Sequence, residues 1–582
     1  MSRPSQAPGP RRPLVISLAA IAILCLCAWI GIRARGASPA RTGGADGAAS
    51  RARLLEALGT AYPRAVLGLL AATLCVFAGL SLRRRLPSRL RPILARGALA
   101  GATAIACVGL AEGGAAAYLS WQHRAPRLAM AAGPPAKTGA AGASDADASI
   151  LVVGESSAEG VPYRDWLSVG KVVTWQLRRL FPTRMFHLEV QARAGWTLEQ
   201  MHQKLAESSR RPDLLILYAG HNEFASRYGW SADVPYYDDD PGPGTAAGLA
   251  TRLAGWSPLC RLMDEARGRA LVASRPPIRP ADVVTVPSHT AAQHQERLDD
   301  FRRRLGMILA DLERAGVLTV VVVPPGNDAG FEPSRSVLLP GTPRADRDAF
   351  AAEVLSAREL ERADEARAIE SYRRLIARYP GFAETHFRLA RLLQRSGARD
   401  EAYREYVLAR DLDAHPMRCP SAFQDVYREL APRHGALLVD GQDVLRARAE
   451  AVGSGQLDDI LFNDAMHPSL DGHMALAEAI LSALRDRGAF GWPQSLAAPA
   501  ISREACADHF DVTAATWKEV CRFASGFYRA TLPIRFDPAE REAKAVAYES
   551  ALKRLEAGET ADALSVRGVG VGRPGTGPAP HR

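Results

Sequence analysis

Five short runs constrain this chain more than any other feature: Ile150–Val153, His187–Gln191, Leu214–Tyr218, Leu318–Val323 and Gly435–Asp440. Short, mostly apolar runs bounded by turn signals read as buried strands. Helix-patterned segments separate them. Ahead of the fourth run, Phe301, Leu305, Ile308, Leu309 and Leu312 share one helical face, and Gly316 stands where a C-terminal cap belongs. Strands alternating with helices specify a parallel sheet covered on both faces. The expected fold class is α/β, a three-layer α/β/α arrangement around a five-stranded parallel sheet.

The turns after the first three runs point to chemistry. After Ile150–Val153 comes Gly154-Glu155-Ser156-Ser157-Ala158-Glu159-Gly160. A serine directly after such a strand sits at the carboxyl edge of the sheet, where open α/β folds bind their ligands. The second run leads into Ala192-Arg193-Ala194-Gly195-Trp196-Thr197, and the third into Gly220-His221-Asn222-Glu223. Much later, Asp464-Ala465-Met466-His467 precedes a helix-patterned run from His473 to Leu484. Each piece alone is an ordinary turn. Their order along one chain is not.

This constellation resembles the SGNH (GDSL-type) hydrolase family. That family's first block is usually G-D-S-L-x-x-G and its third G-x-N-D. Here Glu155 and Glu223 replace the two aspartates, and Ser157 replaces the leucine. The resemblance covers roughly residues 148–227, 290–330 and 430–490. It implies a flavodoxin-like sheet, ester substrates (acetylated polysaccharide, lipid or small acyl esters) and no cofactor.

The same roles are reached from chemistry. A serine hydroxyl is a poor nucleophile at neutral pH and needs an adjacent base. His467 is the natural base for Ser156, because imidazole titrates near neutrality. Asp464, three residues earlier, is near enough to fix the ring's tautomer. The oxyanion of a tetrahedral intermediate needs preorganised donors. The backbone N–H groups of Ser156 and Gly195 and the side-chain amide of Asn222 are the candidates. His221, Glu155, Glu159 and Glu223 are expected to be supporting or solvated residues. His467, Asp471 and His473 match no strong zinc pattern and no cysteine cluster accompanies them, so no metal is expected.

The net charge of +10 is unevenly placed. Residues 1–147 hold 18 Lys/Arg and 5 Asp/Glu, a balance of +13 that leaves −3 for the remainder. The excess is arginine flanking apolar stretches, which is no nucleic-acid footprint. Three stretches, 14–32, 65–82 and 97–119, are each long enough to cross a bilayer; only Glu112 in the third is charged. The first reads as a signal anchor, with a cleaved signal peptide as the alternative. Six arginines at 83–96 mark that loop as cytoplasmic, against five in the 33–61 loop. A multi-pass membrane region at 1–121 is therefore expected, with the catalytic region extracytoplasmic. The Ala/Arg-rich composition has a bacterial character.

An Ala/Gly/Pro-rich tether is expected at 122–147, and the hydrolase domain at 148–490. Two insertions interrupt that domain. Residues 228–289 are rich in Pro, Gly and Asp. In 351–416, Ala368 and Tyr372 recur as Ala402 and Tyr406, a shift of 34. That period, with Leu389, Ala390, Leu393 and Gly397, resembles a tetratricopeptide repeat. One and a half units are too few for a free-standing solenoid, so this insert packs on the hydrolase or binds a protein partner. A helical extension is expected at 497–566, packing through Trp517, Phe523, Phe527 and Tyr528, and a disordered Gly/Pro-rich tail at 567–582. Cys506 and Cys521 are near enough in sequence to pair in an oxidising compartment.

The expectation is a membrane-anchored serine hydrolase working through an acyl-serine intermediate. Two alternatives stay open: an O-acyltransferase of envelope glycan using the same residues, and a non-catalytic scaffold that binds a partner through the insertion.

Overall fold

The computed structural model describes residues 99, 101–117, 147–207, 211–224, 236–239, 257–260, 262–263 and 278–559. The chain divides into two units, one comprising 1–139 with 240–277 and the other 140–239 with 278–582. The expected spans at 14–32 and 65–82 and the tail at 567–582 lie outside the described residues, as does the expected tether apart from Asp147.

In the first unit, residues 101–117 of the third expected span are helical. Glu112, its one carboxylate, accepts hydrogen bonds from the Ser257 hydroxyl at 2.5 Å and the Leu259 N–H at 3.1 Å. Among the described residues no helix is long and apolar enough to cross a membrane.

The second unit is built on a five-stranded sheet in the order β2-β1-β3-β4-β5. Its strands are β1 (Asp147–Gly154), β2 (Met185–Ala192), β3 (Leu214–Tyr218), β4 (Leu318–Val323) and β5 (Leu437–Asp440). All pairings are parallel. β5 starts two residues later than the sequence reading has it, because Gly435 (φ +64°) still belongs to the turn leaving the preceding helix. In chain order the helices are α1 (Ser156–Glu159), α2 (Val169–Leu180), α3 (Leu198–Glu207), α4 (Pro280–Val283), α5 (Ala291–Arg314), α6 (Arg344–Ala363), α7 (Glu365–Arg378) and α8 (Ala383–Arg395). Next come α9 (Arg399–Asp411), α10 (Ser421–Arg433), α11 (Gly441–Ala451), α12 (Leu470–Asp486), α13 (Arg503–His509), α14 (Ala514–Thr531) and α15 (Ala539–Glu556).

Alternation along each strand feeds two cores. Ile150, Val152, Leu214, Ile216, Val320 and Val322 join one, with α2, α11, α12 and the C-terminal helices. Leu151, Val153, Leu215, Leu217, Val321 and Val323 join the other, with α3, α5 and α10. Burying both faces of a parallel sheet explains why its strands read as unbroken apolar runs. Each fully buried Val, Leu or Ile contributes roughly 1.5–3 kcal/mol. On α5 the buried residues are Phe301, Leu305, Ile308, Leu309 and Leu312.

α6 to α9 form a third core around Phe350, Val354, Tyr372, Phe387, Leu389 and Tyr406. The helices begin at Arg344, ahead of the expected 351. Ala368 and Tyr372 on α7 and Ala402 and Tyr406 on α9 are all buried. Beyond 497, the described residues include the helices α13, α14 and α15, and Trp517, Val520, Cys521, Tyr528 and Tyr548 join the first sheet core. Cys506 and Cys521 are both buried and both free thiols.

Candidate active site

β1 ends at Gly154, which pairs with Tyr218 on β3. A Cβ there would overlap the Tyr218 carbonyl oxygen and the Ala158 side chain, so the close approach of β1, β3 and α1 requires glycine. The chain turns at Glu155 and opens α1 with Ser156. Far along the sequence, the loop before α12 carries Asp464 and His467. The Ser156 hydroxyl lies 2.8 Å from His467 Nε2, and His467 Nδ1 lies 2.6 Å from Asp464 Oδ2. Asp464 is fully buried, while Ser156 and His467 each keep about a twentieth of their surface exposed.

These contacts set the proton inventory. Asp464 Oδ1 accepts the Met466 and His467 backbone N–H groups, both at 2.9 Å, and Oδ2 faces the imidazole. An acceptor at Nδ1 favours the tautomer with its proton there. Nε2 is then the acceptor for the serine hydroxyl, the arrangement a general base requires.

Further contacts hold the histidine loop, and all but one are silent in the sequence. Asn327 Nδ2 donates to the Asp464 carbonyl at 2.8 Å and to Asp459 Oδ1 at 2.9 Å, and its backbone N–H donates to the Ala465 carbonyl at 3.0 Å. Asn463 donates its backbone N–H to the His467 carbonyl at 2.9 Å. The Tyr548 hydroxyl on α15 donates to the Asn463 carbonyl at 3.0 Å. Lys544, one helical turn earlier, pairs with Asp459 at 2.6 Å. For Asn327 a partial signal exists: it comes just after β4, in Pro324-Pro325-Gly326-Asn327, at the carboxyl edge of the sheet.

Gly195 adopts φ +84° and is exposed, with open space where a Cβ would stand. Its turn is joined to the serine turn by two bonds: Arg193 N–H to the Gly154 carbonyl at 3.3 Å, and Ala194 N–H to Glu159 at 2.8 Å. Asn222 Nδ2 donates to the Trp196 carbonyl at 3.2 Å, which occupies one of its two amide hydrogens. The turns bearing Ser156, Gly195 and Asn222 are thus tied to one another.

Glu155, Glu159 and Glu223, expected as supporting or solvated residues, are supporting ones. Glu155 is fully buried and accepts the N–H groups of His221 at 2.9 Å and Asn222 at 3.1 Å. Burial pushes its carboxyl up to about 8, opposed by the His221 N–H and reinforced by Glu223. Glu223 accepts the Leu198 N–H at 2.8 Å, and burial pushes it up to about 7. All three carboxylates accept backbone N–H groups. Their sequence context, polar residues in turns, gives no sign of this.

His221 is buried, and its Nδ1 accepts the Cys419 N–H at 3.1 Å. Its Nε2 is buried, with no hydrogen-bond partner among the described residues. Burial, then the neighbouring His467 imidazole, pushes it down to about 3, so the ring is neutral. His473 is likewise pushed down to about 3 by burial, and its ring meets Tyr163 edge-on at 5.8 Å. Asp471 pairs with Arg503 and Arg448. Among the described residues no three His, Cys, Asp or Glu side chains are grouped to hold a metal ion.

Neither a family model nor a curated protein matches the sequence. Solved structures similar to this chain include the acetylxylan esterase Axe2 from Geobacillus stearothermophilus, at 12% identity over 58% of this chain and 94% of that one, with a TM-score of 0.27. LAE5, an α/β hydrolase enzyme from the metagenome of Lake Arreo in Spain, gives 15% identity over the same shares, also at 0.27. A diltiazem-metabolizing enzyme of a gut microbe gives 12% identity over 59% of this chain and 48% of that one, at 0.24. Likeness at these values carries nothing about activity.

Proposed function

We propose that the chain is a serine hydrolase that cleaves acyl esters through an acyl-serine intermediate. The observation that carries this reading is the unbroken line from Ser156 Oγ to His467 Nε2 and from His467 Nδ1 to Asp464, at 2.8 and 2.6 Å. Ser156 Oγ attacks the ester carbonyl carbon as His467 takes its proton. The oxyanion is met by the N–H groups of Ser156 and Gly195 and by the free hydrogen of the Asn222 amide. Collapse expels the alcohol, which leaves with the proton from His467. Water then attacks the acyl-serine by the same route in reverse, releasing the acid.

The hydrolase is proposed to be membrane-anchored and extracytoplasmic, acting on envelope glycan, lipid or small esters. The apolar stretches and the arginines at 83–96 support the anchoring. The 34-residue recurrence, with its four alanines and tyrosines buried, supports a tetratricopeptide-like insertion that packs on the hydrolase or takes a protein partner.

A fluorophosphonate probe tests the chemistry directly. Wild type should label at Ser156 and hydrolyse p-nitrophenyl acetate. Ser156→Ala should lose both while unfolding at the wild-type temperature, because the change removes one oxygen at a turn. Near-wild-type turnover by Ser156→Ala, with loss on Ser157→Ala, would move the nucleophile by one residue.

A further inference from the structure

The C-terminal helices are not remote from the site. α14 buries Thr516, Trp517, Val520, Cys521, Ala524 and Tyr528 as one stripe. Phe523 and Phe527, one turn apart, lie on the edge of that stripe and are only half-buried. Phe527 packs against Phe331 at 5.9 Å. Phe523 packs against His467, edge to face, with ring centroids 5.4 Å apart and planes at 85°. Behind it, α15 grips the same loop through Tyr548 and Lys544. The extension therefore contributes the aromatic ring that meets the imidazole, and that ring is not closed off by the core.

The reaction dictates which part of the substrate comes to His467. The acyl oxygen must turn toward Ser156 N–H, Gly195 and Asn222. The alcohol oxygen must instead reach His467 Nε2, because it leaves with that proton. A ring seated on His467 is thus next to the alcohol portion of the substrate. A partly exposed aromatic ring gains most from a flat apolar partner, as an aryl group or the C–H face of a sugar ring provides.

Resting on the acyl-serine reading of the site, we infer that Phe523 is a specificity-determining residue for the leaving alcohol. It holds the imidazole in place and favours esters whose alcohol presents an apolar face. The acyl group is recognised elsewhere.

The test compares the full-length wild type with Phe523→Ala on three esters: phenyl acetate, ethyl acetate and phenyl butyrate. Each effect is the ratio of variant to wild-type kcat/KM, so intrinsic ester reactivity cancels. Phenyl acetate should lose ~10-fold more than ethyl acetate, the scale of one lost aromatic contact. Phenyl acetate and phenyl butyrate should lose equally. Phe523→Leu keeps apolar bulk against His467 and should show the same selective loss, which covers the case in which the alanine variant does not fold. Phe523→Trp should restore the wild-type preference. An equal loss on phenyl and ethyl acetate would leave Phe523 as a packing residue only. A loss that tracks acyl length would place it on the other side of the site. Both results overturn the inference while Ser156 still labels with fluorophosphonate. Failure of wild type to label or to turn over any of the three esters would sink the acyl-serine reading, and this inference with it.

Discussion

Glu155 offers the sharpest quantitative test, because its burial and its hydrogen bonds pull in opposite directions. Burial pushes the carboxyl from 4.5 up to about 8, while two backbone N–H groups favour the ionised form. A folded-state value above the unfolded one means that the native protein binds the proton more tightly. The resulting stability is fully present below pH 4.5 and is lost as pH rises through about 8. The full shift corresponds to about 5 kcal/mol, of which about 4 is lost between pH 5 and pH 9. Glu155→Gln has nothing to ionise, but its NH2 cannot accept one of the two N–H bonds, at about 1–3 kcal/mol. The variant should therefore be the less stable protein at pH 5 and the equal or more stable one at pH 9. Urea unfolding followed by tryptophan fluorescence at pH 5, 7 and 9 reads the difference, and groups common to both proteins, Glu223 among them, largely cancel. Parallel stability curves across that range would refute the reasoning. They would mean that the His221 and Asn222 N–H groups hold the carboxylate ionised in spite of burial.

Asn222→Ala should lower kcat by about 10²–10³ with little change in KM, since the amide acts on charge that develops only in the transition state; an effect confined to KM would make Asn222 a substrate-positioning residue. For topology, alkaline phosphatase needs an oxidising compartment, so a fusion after residue 130 should be active and one within 83–96 inactive. The reverse pattern would put Ser156 in the cytoplasm and remove envelope substrates.

The sheet is legible in the sequence because burial on both faces forces each strand to be apolar throughout, a local signal. All five strands fall within three residues of their expected ends. Ser156, Asp464 and His467 are legible because the carboxyl edge of a parallel sheet gathers residues distant in sequence. Tyr548 is not, and Asn327 barely so, because each acts through a backbone carbonyl that any residue would supply. Nor can sequence place Phe523 against His467: helical periodicity assigns it to a packing face, and only the tertiary fold says what that face meets. The four helices from Arg344 to Asp411 start earlier than the repeat signal, because α6 carries none of the recurring alanine and tyrosine pairs.

The two glutamates at the first and third sheet-edge turns, Glu155 and Glu223, have a shared geometric consequence. Three turns carry the candidate groups: the first bears Ser156, the second Gly195 and the third Asn222. Glu155 runs from the first turn to the third, at His221 and Asn222 N–H. Glu159 runs from the first to the second, at Ala194 N–H. Glu223 runs from the third to the residue that opens α3 after the second, at Leu198 N–H. Each pair of turns, the second extended to Leu198 at the start of α3, is thus joined by one carboxyl group. An oxyanion site works by having its donors in place before charge develops, and reorganisation during the reaction would cost what the donors supply. An aspartate in place of Glu155 or Glu223 is one methylene shorter and would draw its carboxylate back toward its own turn. The longer side chain reaches a neighbouring turn, and in doing so it ties together the turns that bear Ser156, Gly195 and Asn222, the donors of the proposed oxyanion site.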